Sequence, residues 1–500
     1  MVSIMTLVSR VLGLVRDTAV AQAFGVGWQT DAFFVAFKIP NFLRRLFAEG
    51  AFSQAFVPIL SEYRKTKSHD EVRQLVDRAF GSLSLVLLII TIISILGAPY
   101  VVRIFAPGFA SSHDQFLLAT DMLRIMFPYL LLISMVAFTS SLLNSYGSFG
   151  IPAFTPTFLN IVQISAALWA THWFDPPIVA LAWGVLIAGF IQIIYQLPFL
   201  YRRNLLPRPK LDFKHEGVRR ILILMGPAVL GVSVGQISLL VDSVLASFLQ
   251  HGSVSWLYYA DRLLELPLGL FGVAIGTVIL PKLSAQHAEK SFEQFQDTLD
   301  WAIRSMLMIG LAAGTAMVIL GDTLVTVLFQ YGKFTAEDVA KVSIAVKAYS
   351  PGVVGFLLVK VLAPGYYARQ NTKTPVKFAT IALFAAMATK AALAIPLQHV
   401  GLAIGTTVGA LLNVMLLGWG LWHSGIYHLS RSSKLFFGKL IIANFLMGGV
   451  LYYTNSSVDV WIARSIIERV LYLAGVISAG VAVYFGSLYL MGLRSKDMRR

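Results

Sequence analysis

Apolar segments of about 20 residues recur from one end of this chain to the other, and an α-helix of that length spans the hydrocarbon core of a bilayer. The 500 residues are 57% hydrophobic and 13% charged, with a mean hydropathy of +0.73. A soluble domain would carry roughly twice that share of charge. The sequence therefore predicts an all-α polytopic membrane protein with about 14 transmembrane helices. Among the predicted spans are a long second one at 31–60 and a closely spaced pair at 376–396 and 400–422.

Positive charge is distributed unevenly between the predicted loops. Lys and Arg cluster on one side, at 64–78, 202–220, 282–290, 369–377, 431–439 and after 493. The loops on the other side hold only Lys333 and Lys341. The positive-inside rule then predicts a multi-pass protein with both termini in the cytoplasm. The same distribution argues that the net charge of +15 serves membrane topology, and we expect no nucleic-acid partner.

Two halves of the chain repeat one another at a nearly constant offset. Pro128 and Pro152 are 24 residues apart, as are Pro351 and Pro375, and the matching positions differ by 223. Further matches relate Pro58 to Pro281, Val179 to Val400 and Gln192 to Asn413. A duplication of six helices predicts two lobes related by a pseudo-twofold axis along the membrane normal.

The duplication divides the chain into four predicted parts. Residues 1–204 form an N-terminal lobe of six helices, and 218–425 form a C-terminal lobe of six. The stretch 205–217, with Pro207 and Pro209, is a cytoplasmic linker between them. Residues 430–493 add two helices that lie outside the repeat, and these are free to form a groove for a lipid tail.

Charged side chains occur inside the first two apolar segments, where each costs at least a few kcal/mol unless it faces a bundle interior or a water-filled cavity. The first segment contains Arg10 and Arg16, and Asp17 either neutralises one of them or faces away. The second segment contains further charges near its start and middle: Asp31, Lys38, Arg44, Arg45 and Glu49. Glu49 lies one helical turn beyond Arg45, within pairing range.

The second half contributes Asp261, Arg262, Glu265 and Lys360. The carboxylates are too few to pair with all of these cations. We therefore expect Arg16, Arg262 and one of Arg44 and Arg45 to remain as a central excess of positive charge. Arginine binds phosphate or carboxylate through two parallel hydrogen bonds and stays charged when buried. This pattern favours an anionic substrate.

Asp242 and Lys390 are isolated charges in two other spans. An intramembrane ion pair between them is the least costly arrangement, and its ammonium group would occupy a place where a transporter can hold a sodium ion. The hypothesis predicts transport that does not depend on sodium.

The sequence contains no pattern that indicates catalysis. The run Gly231–Gly235 has the spacing of a nucleophile elbow, but it lies within an apolar helix and not on a strand-to-helix turn. No Walker A loop occurs. The chain has no cysteine, and its nine histidines do not pair at metal-ligand spacing, so we expect no enzyme activity, no cofactor and no metal site. Aromatic clusters near 169–173 and 256–259 are predicted to lie in the membrane interface.

Six stretches are highly specific. They read SRVLGLVRD at 9–17, TDAFFVAFKIPNFLRR at 30–45, FAEGAFSQAFVP at 47–58, GSVSWLYYADRLLELP at 252–267, QYGKFT at 330–335 and KVLAPGYYARQ at 360–370. Together they resemble the MurJ (MviN) lipid II flippases of the multidrug/oligosaccharidyl-lipid/polysaccharide exporter superfamily. The similarity extends over nearly the whole chain and is weaker in the last two helices.

The resemblance implies two six-helix lobes with two additional C-terminal helices. It implies a transporter of the bacterial inner membrane, acting in peptidoglycan synthesis, cell-wall organisation and cell shape. The substrate would be lipid II, which is undecaprenyl-pyrophosphoryl-MurNAc-pentapeptide-GlcNAc. We expect membrane lipids and cell-wall synthesis proteins as partners, and a monomer.

By position, the resemblance assigns substrate binding to Arg16, Arg44 and Arg262, which match cavity arginines of the family. Supporting or gating roles fall to a further set that also matches sensitive positions of the family: Arg10, Asp31, Glu49, Glu265 and Lys360. Lys38 and Arg45 join this set because of their place in the second span. Asp242 matches a sodium-ligand position of some members, but Lys390 stands where those members have a neutral or acidic ligand. The alternatives are a related polysaccharide-lipid flippase and a cation-coupled multidrug exporter, although the excess of arginine argues against the exporter.

Overall fold

The computed structural model describes residues 2–46, 52–428 and 431–493, and within these ranges the chain is helical with short connections. The helices of the first half are α1 (Val2–Phe24), α2 (Trp28–Arg44), α3 (Ser53–Thr66), α4 (His69–Leu96), α5 (Ala98–Phe105), α6 (His113–Ser145), α7 (Gly150–Phe154), α8 (Pro156–Ser165) and α9 (Val179–Tyr201). Those of the second half are α10 (Glu216–Ser247), α11 (Ser253–Pro267), α12 (Val273–Ala288), α13 (Phe292–Phe329), α14 (Ala336–Tyr367), α15 (Lys373–His423), α16 (Arg431–Thr454), α17 (Val458–Ile462) and α18 (Ile466–Leu490).

Ten helices of the described residues are long and apolar enough to cross a membrane. The longest, α15, is two helical arms joined at Gln398, whose φ of 52° breaks the helix. Small residues let the arms approach closely, since a Cβ on Gly405 would lie 2.3 Å from the Cγ atom of Lys390. The arms match the predicted pair of spans, whereas the total of fourteen stays a prediction.

Local sequence signals determine where several helices begin. Capping boxes start α4 at Ser68 and Glu71, α14 at Thr335 and Asp338, and α18 at Ser465 and Glu468. In each box the hydroxyl accepts a hydrogen bond from an N–H group of the first turn, and the carboxylate accepts one from the backbone of the hydroxyl residue.

The matched prolines of the two halves fall in matching helices. Pro58 lies in α3 and Pro281 in α12, while Pro128 lies in α6 and Pro351 in α14. The irregular turns correspond as well. A π-helical turn begins at 45, directly after α2, and another occupies 268–272, directly after α11. The second helix of each repeat therefore ends in the same kind of wide turn, a feature that is frequent at functional sites.

The helices cluster into two compact units, Met1–Ser255 with Tyr331–Lys333, and Trp256–Gln330 with Phe334–Arg500. In the first unit α6 packs against α2, α4 and α9, and α1 packs against α8. Helix α10 belongs to this unit because it packs against α3, α4 and α5. The apolar core around α3 contains four buried aromatic rings, those of Phe52, Phe56, Tyr63 and Phe138.

The segment 205–217 is bonded to the first unit along its length. The carboxylate of Asp77 accepts a hydrogen bond from the Arg208 N–H group (2.8 Å), and its carbonyl oxygen accepts one from the Lys210 N–H group (3.2 Å). Arg78 forms an ion pair with Asp212 (3.1 Å). A Cβ on Gly81 would lie 2.4 Å from the Lys210 carbonyl oxygen, so only glycine permits this backbone contact.

An ion pair fixes the helix that follows this segment. Arg220 of α10 donates two hydrogen bonds to the Glu62 carboxylate of α3, at 2.7 and 2.8 Å, and these lower the pKa of Glu62. His215, the residue before α10, has a lowered pKa. Burial is the main cause because it disfavours the charged imidazolium, and the positive charge of Arg78 contributes less.

In the second unit α14 packs against α13 and α15, and α16 and α18 pack against each other and against α13. A polar network ties α16 to α13. Asp300 forms an ion pair with Arg304 (2.5 Å) and accepts hydrogen bonds from the Tyr427 hydroxyl (2.6 Å) and the Ser433 hydroxyl (2.7 Å). Arg304 also donates to Ser433 (2.8 Å). Helix α16 is thus attached to α13 through largely buried charges as well as apolar contact.

One of the two aromatic predictions is wrong. Trp169 and Trp173 are largely exposed, as expected of an interfacial cluster, but Trp256, Tyr258 and Tyr259 are buried. Trp256 donates a hydrogen bond to the Asp338 carboxylate (3.0 Å), and its ring contacts His399. These partners come from distant parts of the chain, which is why composition at a span end does not reveal the burial.

Candidate functional site

Arg16 lies in the middle of α1 with only 10% of its side chain exposed. Its Nε and Nη2 atoms both donate to Oδ1 of Asp17, at 3.0 and 2.7 Å. Of the two orientations that the sequence leaves open for Asp17, the structure therefore has the one that neutralises Arg16. The expectation that Arg16 would have no carboxylate partner is wrong, because Asp17, the next residue in the chain, supplies its counter-charge.

Asn160 of α8 is a second partner of Arg16 that sequence reasoning misses. Its Oδ1 atom accepts a hydrogen bond from Nη1 of Arg16 (3.2 Å), and its Nδ2 atom donates to the Ser9 carbonyl oxygen (2.9 Å). The side chain is 6% exposed. An amide inside the apolar run 156–165 is the available signal, since polar side chains within membrane helices usually bond across helices.

The described charges of the second predicted span lie in α2 and at the start of its wide turn. Lys38 and Arg44 of α2 are half-buried, and Arg45, the first residue after the helix, is exposed. Glu49, the predicted partner of Arg45, falls outside the described residues. In α1, Arg10 is exposed. Arg44 and Arg45 therefore lie where regular α-helical hydrogen bonding ends.

Arg262 of α11 lies one and a half turns before the corresponding wide turn of the second unit. Its Nη1 atom forms an ion pair with Glu265 (2.8 Å), and its Nη2 atom donates to the Tyr258 hydroxyl (3.1 Å). Its guanidinium carbon lies 4.7 Å from the centre of the Tyr258 ring, a cation–π distance. The expectation that Arg262 has no carboxylate is also wrong, because Glu265 occupies the neighbouring position on the same helix face.

Lys360 of α14 is exposed, and its aliphatic stem approaches Gly272 in the wide turn, where a Cβ would lie 3.7 Å from the Lys360 Cγ atom. Lys390 of α15 is 1% exposed, and Asp242 of α10 is half-buried. They belong to different units, and their ion pair stays a prediction.

Asp31, at the start of α2, is 2% exposed and accepts three hydrogen bonds. The donors are the Gly252 N–H group (2.6 Å), the Ser255 N–H group (2.8 Å) and the Ser255 hydroxyl (2.6 Å). The carboxylate therefore caps the first turn of α11, where backbone N–H groups have no helical partner. Beside it is a cavity of about 260 Å³ lined by Phe109, Gln115 and His251 among others.

The described residues contain no group of three or more His, Asp or Glu side chains placed to hold a metal ion. The charged and polar side chains that the structure brings together within the apolar helices include Arg16 with Asp17 and Asn160, and Arg262 with Glu265.

A family model described as "Lipid II flippase MurJ" matches residues 20–472. The chain therefore belongs to the MurJ lipid II flippase family. Two relatives described as probable lipid II flippase MurJ agree with this. The one from Vibrio cholerae is 46% identical over 100% of this chain and 96% of its own length, and the one from Haemophilus influenzae is 43% identical over 99% of both.

Solved structures give the same fold. A lipid II flippase MurJ in an inward closed conformation superposes with a TM-score of 0.83 at 28% identity, covering 100% of this chain and 99% of the other. A multidrug resistance MATE family transporter of the MOP superfamily, in an inward-facing conformation, has a TM-score of 0.71 at 14% identity over 83% and 95% of the two chains. Membership of the family thus confirms the predicted resemblance, and the second match shows the shared superfamily fold.

Proposed function

We propose that this chain moves lipid II from the inner to the outer leaflet of the bacterial inner membrane by alternating access. The observation that carries the proposal is the placement of guanidinium groups within apolar helices of a MurJ family member. A diphosphate needs convergent cations with paired donors, and arginine supplies both. Arg16, Arg44 and Arg262 are the residues assigned to the pyrophosphate and the adjoining head group.

The two ion pairs of these arginines differ in how easily they exchange. Glu265 is 57% exposed in its side chain, and an exposed pair contributes only about 0–1 kcal/mol, so a phosphate can replace Glu265 at Arg262 at little cost. Asp17 is 3% exposed, and separating it from Arg16 would leave an uncompensated buried charge. Arg262 therefore exchanges Glu265 for a phosphate of the substrate, whereas Arg16 keeps its ion pair with Asp17.

The remaining cations extend the positive surface. Arg10, Lys38, Arg45 and Lys360 attract the anionic head group, and Glu49 and Glu265 are exchange partners of arginines. Asp31 acts on the outer side of the membrane, where its hydrogen bonds with residues 252–255 must break before lipid II is released. If Asp242 and Lys390 form their ion pair, the pair replaces a sodium site.

The lipid tail stays in the membrane while the head group crosses. Residues 430–493 lie outside the repeat, and α16 and α18 carry exposed apolar side chains such as Phe445 (77%) and Leu471 (66%). This part of the chain is assigned to the tail. The lobes 1–204 and 218–425, which the cytoplasmic linker 205–217 joins, give the head group access first to the inner and then to the outer leaflet.

The proposal includes a monomer with both termini in the cytoplasm and no chemical change in the substrate. Membrane lipids and cell-wall synthesis proteins are its expected neighbours. Exposed side chains on most helices suit a protein surrounded by lipid, and the positive-inside distribution supports the orientation.

Native mass spectrometry of the purified protein with lipid II tests the binding step. Wild type should bind lipid II in preference to phosphatidylglycerol, and Arg16→Ala and Arg262→Ala should each weaken that binding about tenfold, a difference of about 1.4 kcal/mol. The matched control is Arg124→Ala, because Arg124 pairs with Asp121 three residues away and is 46% exposed. Equal binding of the two lipids by wild type would contradict the proposal and favour a polysaccharide-lipid flippase or a multidrug exporter.

A further inference from the structure

Asn160 holds one edge of Arg16 through an amide whose orientation is fixed. Because Nδ2 donates to the Ser9 carbonyl oxygen, only Oδ1 can face the guanidinium group. Arg16 is thereby attached at two places, to Asp17 by Nε and Nη2 and to Asn160 by Nη1. The contact joins α8 to the middle of α1 and fixes the direction in which the guanidinium plane points.

The two acceptors differ in charge and in bond length. The bonds to Asp17 are charge-assisted and as short as 2.7 Å, whereas the bond to the neutral Asn160 is 3.2 Å long. Hydrogen bonds to ionised acceptors are roughly twice as strong as neutral ones. A phosphate oxygen that approaches Arg16 would therefore displace Asn160 from Nη1 and leave Asp17 in place.

The neutrality of Asn160 is as important as its position. Arg16 and Asp17 together have no net charge, so a carboxylate at position 160 would make the cluster negative. A negative cluster repels a diphosphate, since bringing like charges together is unfavourable.

We propose that Asn160 is a positioning residue for substrate binding, which holds the Nη1 edge of Arg16 and yields it to a phosphate oxygen of lipid II. The inference rests on the proposed function. It predicts that position 160 tolerates only a neutral acceptor as long as residue 17 carries the counter-charge.

A charge swap tests the inference. We compare wild type, Asn160→Asp, Asp17→Asn and the double variant by native mass spectrometry with lipid II. Asn160→Asp should weaken binding at least about tenfold, and the double variant, which restores the net charge, should return to within about threefold of wild type. The control is Gln286→Glu, because Gln286 is a buried amide in α12 that donates to the Thr298 hydroxyl (2.9 Å) and has no assigned role in binding; this variant should bind as wild type does.

A double-mutant cycle with alanine tests the same contact without placing a new charge in the protein interior, where a charge can prevent folding. Asn160→Ala should weaken binding about threefold to tenfold in wild type and should add nothing when Arg16 is already alanine, because residues that act through one another are not additive. Full additivity would overturn the proposal, as would wild-type binding by Asn160→Asp or a failure of the charge swap to restore binding in a protein that melts normally. Wild type that does not distinguish lipid II from phosphatidylglycerol would instead contradict the proposed function itself.

Discussion

At the scale of single residues, burial decides what the charged groups of this chain can do. Asp17 and Asp31 are nearly inaccessible and have fixed partners, whereas Glu265 is largely exposed and can exchange. Three carboxylates of similar chemistry thus have different surroundings: Asp17 pairs with a buried arginine, Asp31 caps a helix, and Glu265 pairs with an arginine while exposed. Sequence distance does not distinguish these surroundings, because they differ in how much water reaches the group.

The cap at Asp31 makes a prediction about stability. Asp31→Ala removes the acceptor of two buried N–H groups, and an unsatisfied buried donor costs roughly 1–3 kcal/mol. We expect the free energy of unfolding in detergent to fall by that amount. Asp114→Ala is the control, because Asp114 is an exposed carboxylate in the first turn of α6 and should contribute less than about 1 kcal/mol. Equal melting of Asp31→Ala and wild type would mean that the cap does not stabilise the fold.

At the scale of elements, the segment 205–217 is held against α4 by backbone contacts and not by side-chain packing alone. Gly81→Ala places a methyl group against the Lys210 carbonyl oxygen, so the segment must move away. We expect trypsin to cut after Lys210 or Lys214 several-fold faster than in wild type, because proteolysis follows the population of the opened form. Gly226→Ala is the control, since a Cβ there meets nothing within 4 Å. Unchanged cleavage in Gly81→Ala would show that the contact does not hold the segment.

The attachment of α16 to α13 is open to a similar test. Asp300→Ala leaves Arg304 largely buried without its carboxylate, and breaking a buried pair on one side costs roughly 3–5 kcal/mol. A lower Tm and a lower free energy of unfolding should follow. Asp297→Ala, an exposed change one turn earlier on α13, should stay within about 0.5 kcal/mol of wild type. Equal effects of the two substitutions would contradict a role of the Asp300 network in holding the added helices.

At the scale of the whole molecule, the features set by repeated patterns could be predicted from the sequence. The all-helical membrane fold follows from the apolar segments, and the turn at Gln398 falls between two predicted spans. The matched prolines lie in matching helices. The signals for these features are contained within one helix length or recur at a fixed offset, so no knowledge of packing is needed.

The features set by contacts between distant residues could not be predicted in this way. Arg16 and Asn160 are 144 residues apart, and Trp256 and Asp338 are 82 apart. Within the predicted long span at 31–60, regular α-helix α2 ends at Arg44, a wide turn begins at 45, and α3 begins at Ser53. No proline or glycine marks position 45, so periodicity alone predicts an unbroken helix there.

Transbilayer movement of fluorescent lipid II in proteoliposomes is the most direct test of the account. Wild type should carry the lipid across the bilayer, and Arg262→Gln, which keeps a polar side chain but removes the charge, should slow the transfer at least about tenfold. Arg124→Gln should transfer at the wild-type rate. The central claim would be contradicted if Arg262→Gln moved lipid II as fast as wild type, or if wild type moved no more lipid II than protein-free vesicles.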